Sequence, residues 1–143
     1  MKTAVLLSGG IDSTTALAQA VDTYGAEHVL ALSVLYGQKH KKELNCTEKI
    51  ANYYSVRRIS FDVSPLFSYS HNSLMENSDK AVPKTSYAEQ IEETKGQSPV
   101  STYVPFRNGI FLSAAAGVAL SLDCERVVYG AHADDAAGAA YPD

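Results

Sequence analysis

The sequence predicts an α/β protein with a doubly wound parallel sheet and flanking helices. Apolar and amphipathic runs alternate along the 143 residues, which is typical of parallel strands joined by crossover helices. The apolar run at 29–35 is nearly unbroken, as expected for a strand buried on both faces, although a buried helix segment would give the same pattern. A glycine turn at 8–10 separates the first strand from the first helix, at the edge where such sheets bind ligands.

The composition indicates one ordinary globular domain. The chain is 45% hydrophobic and 20% charged, with a formal net charge of −4, so nothing indicates a general nucleic-acid-binding surface. No apolar run approaches membrane-spanning length, and the first residues lead directly into a strand, so we expect a cytoplasmic protein without a signal peptide. Cys46 and Cys124 stand apart, and we expect two reduced thiols, one on a helix and one before a strand.

Strands are predicted at 3–7, 29–35, 56–63 and 127–129. The first helix follows the glycine turn and ends at Gly25, the second covers 39–54, and the third opens at 105–108. The inner face of the third helix is expected to comprise four apolar residues: Phe111, Ala114, Val118 and Leu122. Small residues at 114–117 should allow this helix to pack closely on the sheet.

The segment 64–101 interrupts this alternation. It is polar, has weak periodicity and contains Pro65, Pro83 and Pro99. A segment of this length within a compact domain is either functional or disordered. We therefore expect a variable insertion within 62–101, either a substrate lid with a short helix at 86–93 or a disordered stretch.

The loop 8–14 is the main candidate for a binding site. Adjacent Gly9 and Gly10 let a ligand approach the backbone, and the following helix presents unpaired N–H groups and the positive end of its dipole. Such a site binds phosphate. Asp12 could help to hold Mg²⁺ or cap amides. The alternative is an ordinary strand-to-helix turn in which Asp12 and Ser13 are only caps.

Further polar residues fall in turns or at a helix start: Lys39, His40, Arg107, Asn108, Asp134 and Asp135. The turns that begin at 36 and at 130 are predicted to lie at the same sheet edge as the loop 8–14. The lysine and imidazole could support phosphate or a transferring proton. The arginine could bind carboxylate or phosphate, and the asparagine could read the edge of a heterocycle. The two aspartates could ligate Mg²⁺ or accept hydrogen bonds from amines. For each, a capping or surface role is the alternative.

Four motifs follow one another along the chain: Ser-Gly-Gly-x-Asp-Ser at 8–13, Tyr-Gly-Gln-Lys-His at 36–40, Val-Pro-Phe-Arg-Asn at 104–108 and Tyr-Pro-Asp at 141–143. The first resembles the PP-loop of the ATP pyrophosphatases. The complete set resembles the 7-cyano-7-deazaguanine synthases over essentially the whole chain apart from 64–101. This resemblance implies one PP-loop nucleotide-binding domain at 1–143, with an adenine nucleotide alpha hydrolase-like architecture. Members of that family continue into a cysteine-rich zinc site, so we expect a truncated chain without the zinc ligands.

The resemblance implies an ATP-dependent ligase that converts 7-carboxy-7-deazaguanine and ammonia to 7-cyano-7-deazaguanine in queuosine biosynthesis. A carboxylate oxygen would attack the α-phosphate of ATP, ammonia would displace AMP, and a second adenylation would lead to the nitrile. ATP and Mg²⁺ are expected, with Zn²⁺ in full-length members, no direct nucleic-acid partner, and a homodimer left open. The alternatives are another PP-loop adenylating enzyme, such as a tRNA thiolase or an amide synthetase, and a non-catalytic ATP-binding module.

The resemblance also implies roles for individual residues. The expected ATP-binding residues are Leu7, Ser8, Gly9, Gly10, Ile11, Asp12, Ser13, Thr14, Ser33 and Leu35, the last two through backbone beside adenine. The expected catalytic residues are Asp12, Lys39, His40 and Arg107, the last three for charge at the α-phosphate. The expected substrate-binding residues are Tyr36, Gln38, Arg107, Asn108, Asp134 and Asp135.

Overall fold

The computed structural model describes residues 2–37, 41–69 and 106–131. These residues form four strands: β1 (Lys2–Leu6), β2 (Val29–Leu35), β3 (Arg57–Asp62) and β4 (Cys124–Val128). They also form three helices: α1 (Ile11–Tyr24), α2 (Lys41–Tyr53) and α3 (Arg107–Ser121). Short 3₁₀ turns cover Ala26–His28 and Ser64–Phe67.

The strands form one parallel sheet in the order β3-β2-β1-β4. Leu6 of β1 lies beside Leu32 of β2, and Leu35 at the end of β2 lies beside Asp62 of β3. Since all four strands run the same way, their carboxyl ends share one edge. The strand order reverses direction at β1, which has β2 on one side and β4 on the other. In open parallel sheets this reversal is where ligands bind.

Helices cover both faces of the sheet, which confirms the predicted fold class. On one face the core contains residues of α1, α2 and the strands: Val5, Leu7, Leu17, Ala20, Val29, Ala31 and Val56, with Ile50 and Tyr54 packed against them. On the other face α3 packs on the strands through a second group: Ala4, Leu30, Leu32, Ala115, Ala119 and Cys124. The buried strand predicted at 29–35 is confirmed at those bounds.

Gly25 ends α1 as predicted. Its φ of 84° lies in the region that glycine tolerates and other residues avoid, and its amide donates to the Val21 carbonyl across 2.9 Å. The strand predicted at 127–129 instead begins at Cys124, so the expectation that this cysteine precedes a strand is wrong. Glu125 and Arg126 are exposed charged residues that interrupt the apolar run, so the hydrophobic pattern does not reveal the beginning of the strand. Burial raises the pKa of the Cys124 thiol. Cys46 lies on α2 as predicted, with its side chain exposed.

The inner face of α3 agrees with the prediction except at position 114, where the neighbouring alanine is the buried one. The buried alanines are Ala115 and Ala119, whereas Ala114 is only partly buried. Gly117 is exposed and has open space where a side chain would stand, so the run 114–117 is not uniformly packed on the sheet. Because Ala114 and Ala115 are adjacent, the sequence is compatible with either rotation of α3 about its axis. Val118 and Leu122 pack on the core as predicted.

The beginning of the predicted insertion 62–101 belongs to the described fold. β3 continues to Asp62, and the turn Ser64–Phe67 follows it, with Phe67 buried at 2% exposure. The remainder of that segment, including the helix predicted at 86–93, lies outside the described residues.

Candidate active site

The turn after β1 places two glycines ahead of helix α1. Gly9 has a φ of 90°, a conformation that a side chain would strain, whereas Gly10 is extended at φ −81° and ψ 172° and occupies the N-cap position. The chain can therefore reverse sharply at the carboxyl end of the central strand and enter the helix within a few residues. Ser8 and Asp12 are exposed and Ile11 is 85% exposed, so the mouth of the loop is open to solvent.

The hydroxyl of Ser13 joins the two ends of this loop. It accepts a hydrogen bond from the Ser8 amide at 3.2 Å, lies 3.0 Å from the Ser8 hydroxyl, and donates to the Gly10 carbonyl at 3.1 Å. Ser13 is only 7% exposed. Its hydroxyl is therefore part of the framework that shapes the loop, and its direct contact with phosphate stays a prediction.

The first backbone hydrogen bond of α1 runs from the Thr14 amide to the Gly10 carbonyl, at 3.1 Å. The Thr14 hydroxyl donates to the same carbonyl at 2.8 Å. The amides of residues 11–13 precede this bond, so the helix itself offers them no acceptor. They add to the positive end of the helix dipole beside the open loop. The local arrangement has the donors and the field that an anionic group requires.

The neighbouring strand supplies a buried hydroxyl beside the loop. The Leu7 amide donates to the Leu32 carbonyl at 2.8 Å, which joins the end of β1 to β2 next to Ser33. Ser33 is 1% exposed, and its hydroxyl has no hydrogen-bond partner among the described residues. The Leu35 carbonyl, by contrast, accepts from the Val63 amide at 2.7 Å. Of the two residues predicted to border adenine, Ser33 thus retains an unsatisfied polar atom.

Tyr36 and Arg107, predicted from separate motifs, are brought together. Arg107 Nη1 donates to the Tyr36 hydroxyl at 3.4 Å, and the guanidinium carbon lies 5.7 Å from the centre of the tyrosine ring. The Tyr36 ring packs against Phe67 and Phe111, with ring centres 5.9 and 5.2 Å away. Phe67 and Phe111 are themselves 6.2 Å apart. These three rings, here called the aromatic cluster, support the arginine at the carboxyl edge of the sheet.

Phe67 was not identified from the sequence. The available signal was Pro65 at the start of a 3₁₀ turn, followed by two apolar residues within a polar segment. Asp62 stabilises this turn by accepting hydrogen bonds from the Ser64 hydroxyl and from the Ser64 amide, the latter at 2.8 Å. Both bonds hold the pKa of the Asp62 carboxyl below its ordinary value.

The start of α3 does not show the capping role that was the alternative for Asn108. Phe106, not Asn108, occupies the N-cap position of α3, with a left-handed φ of 52°. Its ring lies over Gly109, where a side chain would meet the ring carbons at 2.4–2.7 Å. Asn108 is exposed within the first helical turn. Its predicted contact with a heterocycle stays a prediction.

The remaining predicted site residues lie outside the described ranges: Gln38, Lys39, His40, Asp134 and Asp135. Within 2–37, 41–69 and 106–131, no group of three or more histidine, cysteine or acidic side chains is arranged to hold a metal ion. In the same ranges no helix combines the length and apolar character needed to cross a bilayer.

Comparisons with known proteins connect this geometry to a family. The model of the family described as queuosine biosynthesis protein QueC matches residues 2–143. The 7-cyano-7-deazaguanine synthase of Archaeoglobus fulgidus is 40% identical over 144 residues, covering 100% of this chain and 55% of the relative. The 7-cyano-7-deazaguanine synthase of Thermoplasma acidophilum is 44% identical over 142 residues, covering 99% of this chain and 55% of the relative. The chain thus spans about half the length of the curated relatives it matches.

A solved structure agrees with the fold. The ammonia-dependent NAD synthetase from Campylobacter jejuni, determined in complex with nitrate, superimposes with a TM-score of 0.57 at 15% identity. The match covers 98% of this chain and 52% of that chain. At this identity the similarity concerns the parallel α/β architecture alone.

Proposed function

The chain belongs to the family of queuosine biosynthesis protein QueC, and on this premise we propose that it binds ATP within a 7-cyano-7-deazaguanine synthase. The whole enzyme would convert 7-carboxy-7-deazaguanine and ammonia to 7-cyano-7-deazaguanine. The observation that carries the proposal is the open amide-rich start of α1, placed by Gly9 and Gly10 where the strand order of the sheet reverses.

The described residues have groups suited to both ends of an ATP molecule, the pyrophosphate and the adenine. Amides at the start of α1 would bind the pyrophosphate, and exposed Asp12 would help to hold Mg²⁺ beside it. The Ser33 hydroxyl supports the adenine end, since a buried polar atom without a partner gains free energy when a ligand supplies one. ATP supplies an adenylate that turns a carboxylate or amide oxygen into a leaving group.

Arg107 is the described side chain best suited to the charge that develops at the α-phosphate. Its guanidinium bears a permanent positive charge and lies at the carboxyl edge of the sheet, against Tyr36. A preorganised cation stabilises the transition state more effectively than a solvated one, because it need not reorganise during the reaction. Lys39 and His40 are proposed to assist it, and Asn108, Asp134 and Asp135 to contact the deazaguanine.

The proposal is tested by comparing Ser13→Ala with Thr15→Ala in the full-length protein. Both hydroxyls belong to the first turns of α1, but Thr15 donates only to the Ile11 carbonyl, at 2.9 Å on the exposed side. Ser13→Ala should lower ATP affinity and ATP-dependent AMP release by about tenfold or more, the effect of losing about 1.4 kcal/mol. Thr15→Ala should change neither.

AMP release is measured with 7-carboxy-7-deazaguanine and ammonia present, and ATP binding by isothermal titration. Unchanged AMP release in both Ser13→Ala and Asp12→Ala would show that the loop assignment is wrong. ATP binding by the wild type without any binding of 7-carboxy-7-deazaguanine would instead favour another PP-loop enzyme or a nucleotide-binding module.

A further inference from the structure

Gly130 lies against the first turn of α1. A methyl group built on its Cα would stand 2.6 Å from the Asp12 carbonyl carbon, 2.7 Å from the Asp12 carbonyl oxygen and 2.8 Å from the Ser13 amide nitrogen. All three atoms belong to backbone, so no side-chain rotation could relieve the overlap. Gly130 is exposed, yet the three atoms nearest to the position of its Cβ all belong to the Asp12–Ser13 peptide and exclude a side chain there.

The register of β4 explains why the contact falls at this position. Side chains of a strand alternate between faces, and Val128, the last residue of β4, packs against the core on the α1 face. Two residues later, a side chain at position 130 would again point towards α1. Since β4 lies directly beside β1, its end approaches the helix that begins after β1, and only a bare backbone fits between them.

We infer that Gly130 is a positioning residue for the nucleotide site: its backbone fixes the Asp12–Ser13 peptide, and with it the amides at the start of α1, relative to the sheet. The assignment of a nucleotide to that site rests on the proposed function, whereas the contact does not. The chemical class of the bound group is a pyrophosphate, whose oxygens require several amides in a set geometry. A small displacement of the first turn should therefore weaken phosphate binding without unfolding the sheet.

Gly130→Ala in the full-length protein tests this inference, with Gly117→Ala as the matched control. Gly117→Ala makes the same substitution, but outside its own helical backbone no atom of the described residues lies within 4 Å of the position that the Gly117 Cβ would occupy. Isothermal titration with inorganic pyrophosphate and with ATP should show at least a tenfold weaker affinity for Gly130→Ala and an unchanged affinity for Gly117→Ala. Denaturant unfolding of both variants ensures that the comparison is made on folded protein.

Backbone amide spectra distinguish positioning from a general loss of stability. In Gly130→Ala the Asp12 and Ser13 amide signals should shift while those of β3 stay in place, and in Gly117→Ala the Asp12 and Ser13 signals should not move. If Gly130→Ala does not fold, a titration of the wild type with pyrophosphate replaces it. The Gly130 amide should then shift together with the amides of 8–14, and the Gly117 amide should not.

Wild-type affinity in Gly130→Ala, or a Gly130 amide that stays unmoved while the loop amides respond to pyrophosphate, would overturn the inference. If the wild type bound neither pyrophosphate nor ATP, the proposed function would fail. Shifted Asp12 and Ser13 signals in Gly130→Ala would then still support the contact, and unshifted signals would reject it as well.

Discussion

The guanidinium of Arg107 lies against Tyr36, with a hydrogen bond of 3.4 Å to the hydroxyl and 5.7 Å between the guanidinium carbon and the ring centre. The two residues are 71 positions apart and belong to different elements, one following β2 and the other beginning α3. Phe67 and Phe111 also pack against the tyrosine ring. A long, flexible side chain is thereby restricted before any substrate arrives, which reduces the entropy lost on binding.

Truncation of Arg107 and of Tyr36 should have graded effects on turnover by the full-length enzyme. Arg107→Ala should lower kcat by about 10²–10³-fold, the usual cost of losing one preorganised group that stabilises transition-state charge. Tyr36→Phe keeps the ring and removes the hydroxyl that accepts from Arg107, so a loss below about tenfold is expected. Steady-state rates of AMP release provide the measurement.

Arg126→Ala is the control for this pair. Arg126 also lies over a tyrosine, with its guanidinium carbon 5.0 Å from the centre of the Tyr24 ring, but Tyr24 ends α1, away from the glycine loop. Its removal should leave kcat unchanged. Equal losses in Arg107→Ala and Arg126→Ala would show that the arginine effect is structural.

Ser33→Ala should separate stability from ligand binding. The buried Ser33 hydroxyl lacks a hydrogen-bond partner among the described residues, so its removal should leave the free energy of unfolding unchanged or raise it by about 1 kcal/mol. ATP affinity should fall, since the hydroxyl is the proposed partner of the adenine end. Urea unfolding and isothermal titration measure the two effects.

Thr3→Val is the matched comparison, because the Thr3 hydroxyl is also buried without a hydrogen-bond partner in the described part of the chain, but lies near the amino end of β1. It should alter stability similarly and leave ATP affinity unchanged. Loss of ATP binding in both variants, or in neither, would contradict the role proposed for Ser33.

The sequence predicted those parts of the fold that depend on local pattern. A continuous apolar run is sufficient to locate β2, and a left-handed glycine is sufficient to end α1 at Gly25. The loop 8–14 could be recognised for the same reason, because the requirements of a glycine turn before a helix are local. The alternation of strands and helices then fixed the sheet as parallel.

Features that depend on contacts between distant segments could not be predicted. Whether Ala114 or Ala115 faces the sheet depends on the rotation of α3 about its axis. Because the two side chains are identical, the hydrophobic pattern favours neither rotation. The burial of Phe67 depends on Tyr36 and Phe111, which lie elsewhere in the chain. The need for glycine at position 130 arises from a helix more than a hundred residues earlier.

Phe67→Ala should destabilise the protein and also affect the site. Phe67 is 2% exposed within the aromatic cluster, and removal of a buried phenylalanine side chain costs about 3–5 kcal/mol. Tyr69→Ala, two residues later and 88% exposed, should stay within about 0.5 kcal/mol of the wild type. Urea unfolding measures both, and similar stabilities of the two variants would contradict the burial of Phe67.

The pH dependence of stability should reveal the hydrogen bonds between Asp62 and Ser64. These bonds hold the pKa of the Asp62 carboxyl below its ordinary value in the folded protein, whereas in the unfolded chain it is near the usual value of about 3.9. The unfolded state therefore takes up a proton at a higher pH than the folded state. The stabilisation is complete above pH values of about 4 and is lost as the pH falls through the folded pKa.

Free energies of unfolding are measured in urea from pH 7 downwards for the wild type and for Asp62→Asn, which lacks the titrating group. The advantage of the wild type over Asp62→Asn should shrink with falling pH, and Ser64→Ala, which removes the largest cause of the lowered pKa, should diminish this pH dependence. The effect should be small, because the carboxyl is exposed and solvent screens its interactions. An advantage that grew as the pH fell, or that was the same with and without the Ser64 hydroxyl, would contradict this account of the turn that carries Phe67 into the aromatic cluster.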